Sequence, residues 1–411
     1  MRHIVKPLWR HRLMPLLVVL QVALACAIAC NALFLLQQKL APVLASDGVG
    51  KPDRLVMVTG VVARGQPWQS GRLLGVQQAL RALPGVEAAS VAGSLPMQNG
   101  ADFNGGVIAA DTHAKADVAV YIGNDLVDAL GLRLVAGRDF GPEEQTIQYH
   151  GVGINDSGPT IITRALAQRL FPKGDALGKV IRIGADADAG SRTVVGVVEH
   201  LMRNDFGAVD GEKLDYTMLF PGVPGDWPLP MFAVRVAPGA DVEQVRKSVA
   251  DTIQRELGAD MMTGSQPSVQ MYADLRDHAL AQSRAAVWLL AGVSVVVFIV
   301  TLVGIMGLTS YWVQQRTRQI GIRRALGARR SHILREVQLE NLLVVGMGVL
   351  LGLLVAYAIN LWLMRHYELA RLPWTYLPYG ALLMLLLGQL AVLGPALRAA
   401  AVPPVVATRS V

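Results

Sequence analysis

Four long segments of the chain are apolar and dominate its hydropathy pattern. No charged residue interrupts any of them, and their ranges are 13–36, 285–313, 341–364 and 372–397. Since about 20 helical residues cross the roughly 30 Å hydrocarbon core of a bilayer, each segment is long enough for one crossing. The pattern therefore predicts four transmembrane helices.

Basic residues between these segments predict which side of the membrane each connection occupies. Residues 1–12 hold four basic residues and no acid, and residues 314–340 hold seven arginines against two glutamates. By the positive-inside rule we expect both segments to be cytoplasmic, and four crossings return the C-terminus to the same side. The net charge of +7 therefore reflects basic residues that orient the membrane helices. It does not indicate a nucleic-acid-binding surface, and we expect no nucleic-acid partner.

The segment 37–284 is large enough to fold as an α+β domain outside the membrane. A strand–helix–strand order occurs early, and a similar order recurs late, with Asp241 at the expected N-cap of the late helix and Gln244 in the capping-box position. The predicted ranges are 54–62, 70–82 and 86–92, then 231–236, 242–257 and 268–271. Two such units around a different middle predict a discontinuous α/β subdomain with an inserted subdomain.

The inserted middle, about residues 95–225, predicts short strands and loops because glycine, aspartate and brief Val/Ile runs alternate there. We expect one helix over 162–170 and strands over 180–183 and 193–198. Residues 272–284 are polar and free of Gly and Pro, so they predict a helical stalk that continues into the second membrane helix. Residues 37–46 are expected to extend the first membrane helix in the same way.

The first apolar segment also resembles a cleavable signal peptide, with Ala25–Ala27 as the cleavage pattern. Its apolar run continues to Leu36, longer than the usual apolar h-region of a signal peptide, which favours an uncleaved anchor. Cys26 and Cys30 share a helix face. Small packing residues are favoured there over a redox or metal-binding role.

Candidate catalytic motifs are weak. The stretch Gly174–Val180 imitates a phosphate loop, but it has one residue too few between its glycines and Val180 where Ser or Thr should hold magnesium. We interpret it as a turn that enters a strand. The acids Asp139, Glu143 and Glu144 could form a carboxylate site, but a solvated turn is the ordinary interpretation. We therefore expect a non-catalytic protein with no catalytic residue and no directly bound cofactor or metal.

The segment 314–340 contains the most informative pattern. An apolar stripe of Ile320, Leu326, Ile333 and Leu334, with turns at Gly321 and Gly327 and arginines on the other faces, predicts a short amphipathic helix parallel to the membrane. A polybasic loop that only sets topology and contacts anionic membrane lipid fits the same residues equally well.

The stretch Gln319-Ile-Gly-Ile-Arg-Arg-Ala-Leu-Gly-Ala328 resembles the inner-loop motif of the MacB/FtsX-type permeases of ABC transporters. Segments 121–140 and 162–197 are similar to the periplasmic domain of the MacB group, and 396–409 to the family's C-terminal tail. The family also has the same order of parts along the chain: one helix, a large outer domain and then three further helices.

The resemblance implies a permease subunit that couples ATP hydrolysis by a cytoplasmic ABC ATPase to motion of its periplasmic domain. It implies a dimer with a second permease copy or homologue, in the bacterial inner membrane, and efflux of a peptide, lipopeptide, siderophore, drug or lipoprotein. A periplasmic adaptor and an outer-membrane duct are further possible partners. Because no Walker motif occurs in the chain, we expect the ATPase to be a separate polypeptide, through which ATP and Mg²⁺ act. The alternatives are a regulatory scaffold that activates a periplasmic hydrolase and a membrane sensor without an ATPase.

The resemblance also places a coupling helix within 316–334 and divides the outer domain into a porter-like subdomain (about 50–93 and 229–272) and a strand-rich insertion. The residues expected to couple to the ATPase are Arg316, Arg318, Gln319, Ile320, Gly321, Ile322, Arg323, Arg324, Ala325, Leu326, Gly327 and Ala328. The predicted organisation is a cytoplasmic N-terminus (1–12), helix 1 (13–36), the periplasmic domain (37–284), helix 2 (285–313), the cytoplasmic loop (314–340), helix 3 (341–364), a short external loop (365–371), helix 4 (372–397) and a cytoplasmic tail (398–411).

Overall fold

A computed structural model describes residues 13–98, 103–145, 148–150, 157–184, 190–205, 211–225, 229–367 and 373–401. The chain divides into two compact units, one formed by 1–40 with 285–411 and the other by 41–284. The predicted N-terminal segment 1–12, most of the short external loop and the tail beyond Ala401 lie outside the described residues.

The helices and strands are numbered separately in chain order. The helices are α1 (Leu13–Leu44), α2 (Ser70–Arg81), α3 (Leu126–Leu130), α4 (Pro142–Gln145), α5 (Arg164–Leu170), α6 (Val242–Leu257), α7 (Tyr272–Ala325), α8 (Arg330–Tyr367) and α9 (Tyr376–Ala401). The strands are β1 (Leu55–Thr59), β2 (Val86–Ala92), β3 (Phe103–Ala109), β4 (Lys115–Ile122), β5 (Leu134–Gly137), β6 (Gln148–His150), β7 (Gly158–Thr163), β8 (Val180–Ile183), β9 (Ser191–Val198), β10 (Thr217–Phe220), β11 (Val223–Gly225), β12 (Met231–Val236) and β13 (Ser268–Met271).

The unit built from the chain's two ends is a bundle of α1, α7, α8 and α9. Each of these helices is long and apolar enough to cross a membrane, as the four apolar segments predict. Polar side chains in the bundle bond to neighbouring helices: Gln21 donates to the carbonyl of Val300 at 3.2 Å, and Asn31 to that of Ala356 at 3.3 Å. These bonds satisfy groups that would be costly to bury unpaired.

Small residues let α1 lie close to its neighbours in the bundle. Cys26 and Cys30 are fully buried, and a Cβ placed on Gly352 would lie 2.6 Å from the Cβ of Cys26. A Cβ on Gly380 would lie 2.3 Å from the sulfur of Cys30. The two cysteines therefore pack against helical glycines, which confirms the packing interpretation.

The second unit contains the predicted discontinuous subdomain. Its four-stranded sheet has the order β13-β1-β12-β2 and is antiparallel throughout. Helices α2 and α6 cover one face with a core that includes Leu73, Leu80 and Val249. The predicted N-cap of α6 is confirmed, since the Asp241 carboxylate accepts the backbone N–H groups of Glu243 and Gln244 at 3.0 and 3.2 Å.

The insertion between β2 and β12 is a strongly curved sheet with the order β5-β9-β7-β10-β4-β3-β8. Strand β8 pairs again with β9, so six of the seven strands form a closed ring of hydrogen bonds. Closure removes most free sheet edges and encloses a core that includes Val107, Ile162 and Phe220.

The predicted helix over 162–170 is wrong in its first two residues. Ile162 and Thr163 complete β7, and Ile162 pairs with Met218 of β10 and Val197 of β9. These pairings, and that of Thr163 with Val198 of β9, hold the two β-branched residues extended, so the helix begins only at Arg164.

Candidate coupling site

The predicted coupling residues lie at the end of a helical hairpin formed by α7 and α8. Helix α7 continues without interruption through Gly321 to Ala325, so the predicted turn at Gly321 and the separate short helix are wrong. A glycine inside a helix costs only about 1 kcal/mol relative to alanine, and the surrounding residues are strong enough helix formers to absorb that cost. Gly321 is buried within the hairpin.

The predicted turn at Gly327 is confirmed. Its φ of +98° lies in the left-handed region that glycine adopts without strain. The N–H of Ala328 reaches back to the carbonyl of Arg323 at 3.1 Å, and that of Leu326 to the carbonyl of Ile322 at 3.0 Å. This is the glycine-terminated helix end of a Schellman motif, which fixes the direction in which the chain leaves α7.

The predicted apolar stripe divides between the inside and the outside of the hairpin. Ile333 is buried together with Val313 and Ala399, and Ile320 packs against them. Leu334 packs into the core of the helix bundle. Leu326 instead has 83% of its surface exposed, and Ile322 has 47% exposed.

Two ion pairs join α7 to α8 across the hairpin. The Nη1 of Arg323 lies 2.7 and 2.8 Å from the two carboxylate oxygens of Glu336. The Nη1 of Arg316 lies 3.3 Å from the nearer carboxylate oxygen of Glu340, and its guanidinium carbon lies 3.8 Å from the ring centre of Trp312. These partners brace the end of α7 against α8.

The exposed tip, which we define as Arg318, Ile322, Leu326, Arg329 and Arg330, presents two apolar side chains among basic ones. Gln319, Arg323, Ala325 and Gly327 are exposed as well, while Arg316 and Ala328 are partly covered; Arg324 belongs to the last turn of α7. Most of the predicted residues are thus exposed at the end of the hairpin, while Ile320 and Gly321 face inward.

The weak catalytic candidates of the outer unit have structural roles. Lys179 pairs with Asp111 at 2.5 Å, and its turn leads directly into β8 as predicted. Glu144 is held by Arg138 at 2.8 Å, and that hydrogen bond lowers the pKa of the Glu144 carboxyl. Burial instead raises the pKa of Asp139, whose carboxylate accepts the backbone N–H of Phe140.

Two family models match this chain. Residues 34–252 match the MacB-like periplasmic core domain, and residues 291–404 match the FtsX-like permease C-terminal region. The chain belongs to the MacB/FtsX-like permease family. It is therefore an ABC transporter permease by family, with the transmembrane helices and periplasmic domain that the sequence predicts.

Several curated proteins are similar to more than half of this chain. The macrolide export ATP-binding/permease protein MacB of Chromobacterium violaceum is 27% identical over 240 residues, which is 58% of this chain and 34% of that protein. The MacB of Agrobacterium fabrum is 30% identical over 245 residues, or 58% and 35%. The probable syringafactin export ATP-binding/permease protein SyfD of Pseudomonas syringae is 30% identical over 236 residues, or 56% and 32%. The matched region is about a third of the length of these relatives.

Among solved structures, the periplasmic region of MacB from Actinobacillus actinomycetemcomitans aligns with a TM-score of 0.36 and 12% identity. The alignment covers 56% of this chain and 94% of that one. Membership of the MacB/FtsX-like family rests on the two family models.

Proposed function

We propose that this chain is the permease subunit of an ABC-type export or mechanotransmission complex and that its exposed tip docks onto a separate cytoplasmic ATPase. The observation that carries the proposal is the exposure of Leu326 and Ile322 on a tip whose helices are otherwise braced from within. Exposed apolar side chains rimmed by charge are typical of a protein–protein interface. ATP and Mg²⁺ then act in the partner, and the permease itself stays non-catalytic.

The proposed orientation places the tip and both termini in the cytoplasm, in the bacterial inner membrane. It is supported by the arginines of the 314–340 segment and by the periplasmic core domain assigned to residues 34–252. We propose that the subunit works as a dimer with a second permease copy or homologue. Efflux of a drug, peptide, lipopeptide, siderophore or lipoprotein is the proposed output, with an adaptor and an outer-membrane duct as possible further partners.

The variant Leu326→Glu tests the docking surface. We expect it to weaken binding of the co-expressed ATPase at least about tenfold, because a charge replaces an apolar contact at the centre of the tip. Stability should change by no more than about 0.5 kcal/mol, since the side chain is exposed. Co-purification from detergent measures the binding. Met262→Glu is the matched control, because Met262 is 51% exposed in the other unit. Equal ATPase recovery from both variants would contradict the proposal.

The variant Gly327→Val tests the turn that orients the tip. A Cβ at Gly327 meets no atom within 4 Å, so the cost, about 1–2 kcal/mol, comes from the left-handed backbone alone. We expect ATP hydrolysis by the complex to continue while transport falls severalfold. Gly264→Val is the control, since Gly264 combines a φ of +88° with equally open surroundings in the outer unit. If the two variants transport equally well, the turn has no coupling role.

A further inference from the structure

Two adjoining cavities lie beside the base of the hairpin, within the helix-bundle unit. The first is lined by both ion pairs, Arg316–Glu340 and Arg323–Glu336, together with Trp312. The second is lined mainly by apolar residues, among them Pro15, Val18, Leu308 and Val344. Trp312, Val337 and Glu340 line both cavities, so an apolar pocket and a charged pocket lie side by side.

The position of these cavities along the helices corresponds to the edge of the bilayer. Pro15 and Val18 lie in the first turns of one charge-free segment, Leu308 near the end of another, and Val344 at the start of a third. The apolar cavity is thus on the side of the hydrocarbon core, and the charged cavity is on the side of the headgroups. A phospholipid has the same order of apolar and polar parts.

The charges of the polar cavity select the headgroup. Its two guanidinium groups and two carboxylates sum to zero formal charge, and Glu340 is only 3% exposed. Among contacts between the described residues, each guanidinium meets its carboxylate through Nη1 alone, although it carries five N–H donors. A bound phosphate can use the remaining donors, and a bound ammonium can bond to the carboxylates.

We propose that this pair of cavities binds one zwitterionic phospholipid with a primary ammonium, phosphatidylethanolamine, with its phosphate at Arg316 and Arg323 and its ammonium at Glu336 and Glu340. One acyl chain then lies between Val18, Leu308 and Val344. An anionic phospholipid such as phosphatidylglycerol brings a phosphate and no ammonium, so the buried carboxylate repels it. The site is distinct from the exposed tip and does not depend on an ATPase.

The test uses the full-length chain in liposomes with photoactivatable phosphatidylethanolamine or phosphatidylglycerol of identical acyl chains. We expect phosphatidylethanolamine to label peptides around Leu308 and Val344 about tenfold more strongly. Glu336→Gln, which removes an ammonium partner, and Val344→Phe, which fills the apolar cavity, should each reduce that labelling severalfold. Arg335→Gln is the control, because Arg335 is exposed on the same helix and lines neither cavity.

Three results would overturn the assignment. Equal labelling by the two lipids would show ordinary lipid contact, and an equal loss in Arg335→Gln would show a general charge effect. Displacement of the lipid probe by soluble phosphoethanolamine would assign the charged cavity to a free solute instead. Because no ATPase is present in the assay, each outcome is independent of the coupling role proposed for Leu326.

Discussion

Gly352→Leu is expected to destabilise the helix bundle strongly. A Cβ at this position would already lie 2.6 Å from the Cβ of Cys26 and 2.7 Å from the carbonyl oxygen of Ala23, before the rest of the leucine is added. The obstacle includes the backbone of α1, which cannot move aside by a rotamer change. We expect a loss of about 3 kcal/mol or more, seen as a lower unfolding temperature and a smaller monodisperse fraction in detergent.

Gly346→Leu is the matched control for this prediction. Gly346 lies on the same helix, but a Cβ there meets no atom within 4 Å. It should therefore insert and purify like the unchanged protein, since leucine is also a better helix former than glycine. If Gly352→Leu were as stable as Gly346→Leu, the close packing of α1 against α8 would be refuted.

Much of the fold follows from local sequence patterns. The ranges predicted for β2, β12, α6 and β13 coincide with the observed ones, because each element combines a clear period with a turn or cap at its end. Asp241 is an example, since its side chain caps α6 whatever the rest of the chain does. The four membrane helices are also predicted from local sequence, because length and lack of charge define them.

The features that local patterns miss depend on distant partners. The closed ring of strands in the insertion requires β8 and β9 to pair, and no spacing in the sequence encodes that contact. The boundary between β7 and α5 depends on distant partners for the same reason: the pairing of Ile162 and Thr163 with β9 decides that the strand continues to Thr163.

The candidate coupling site likewise combines features that local sequence predicts with features that depend on distant partners. The motif around Gly321 and Gly327 stands out in the sequence, and Gly327 has the positive φ that a turn requires. The inward rotation of Ile320 and the outward position of Leu326 depend on how α8 and α9 pack, as do the ion pairs of Glu336 and Glu340. In the sequence, Glu336 and Glu340 only reduce the positive charge of a basic segment. In the structure, they form the ion pairs that join α7 to α8.

Asp47 is a buried carboxylate of the outer unit whose loss should be strongly destabilising. It lies just beyond α1 and is only 6% exposed. Its Oδ2 accepts the hydroxyl of Tyr272 at 3.1 Å and faces the Nε of Arg276 at 2.8 Å, both at the start of α7. Its carbonyl accepts the N–H of Met202 in the insertion at 3.0 Å.

A second contact, three residues further along, ties the same linker to the porter-like sheet. The carbonyl of Gly50 accepts the Nη1 of Arg235 in β12 at 2.7 Å, and the N–H of Gly50 donates to Leu130 at 3.0 Å. Residues 47–50 thus join the start of α7 to both subdomains of the outer unit. Any force that reaches the outer unit along the chain from α1 passes through these residues.

We therefore expect Asp47→Ala to cost about 3 kcal/mol, because it leaves the fully buried Tyr272 hydroxyl without its acceptor and Arg276 without its counter-ion. Hydrogen exchange at the amide of Met202 should rise, and transport should fall more than ATP hydrolysis does. The stability of Asp47→Asn should lie between that of the unchanged protein and that of Asp47→Ala, since asparagine keeps an acceptor for Tyr272 but loses the ion pair.

Asp277→Ala is the matched control, because it breaks an ion pair with Arg284 on the same helix where the Asp277 side chain is 69% exposed. Solvent-exposed pairs contribute about 0–1 kcal/mol, so exchange at Met202 should stay unchanged there. Equal stability of Asp47→Ala and Asp277→Ala would mean that the linker is not held by its carboxylate. If Asp47→Ala raised exchange at Met202 but left transport unchanged, Asp47 would anchor the linker without transmitting motion to the outer unit.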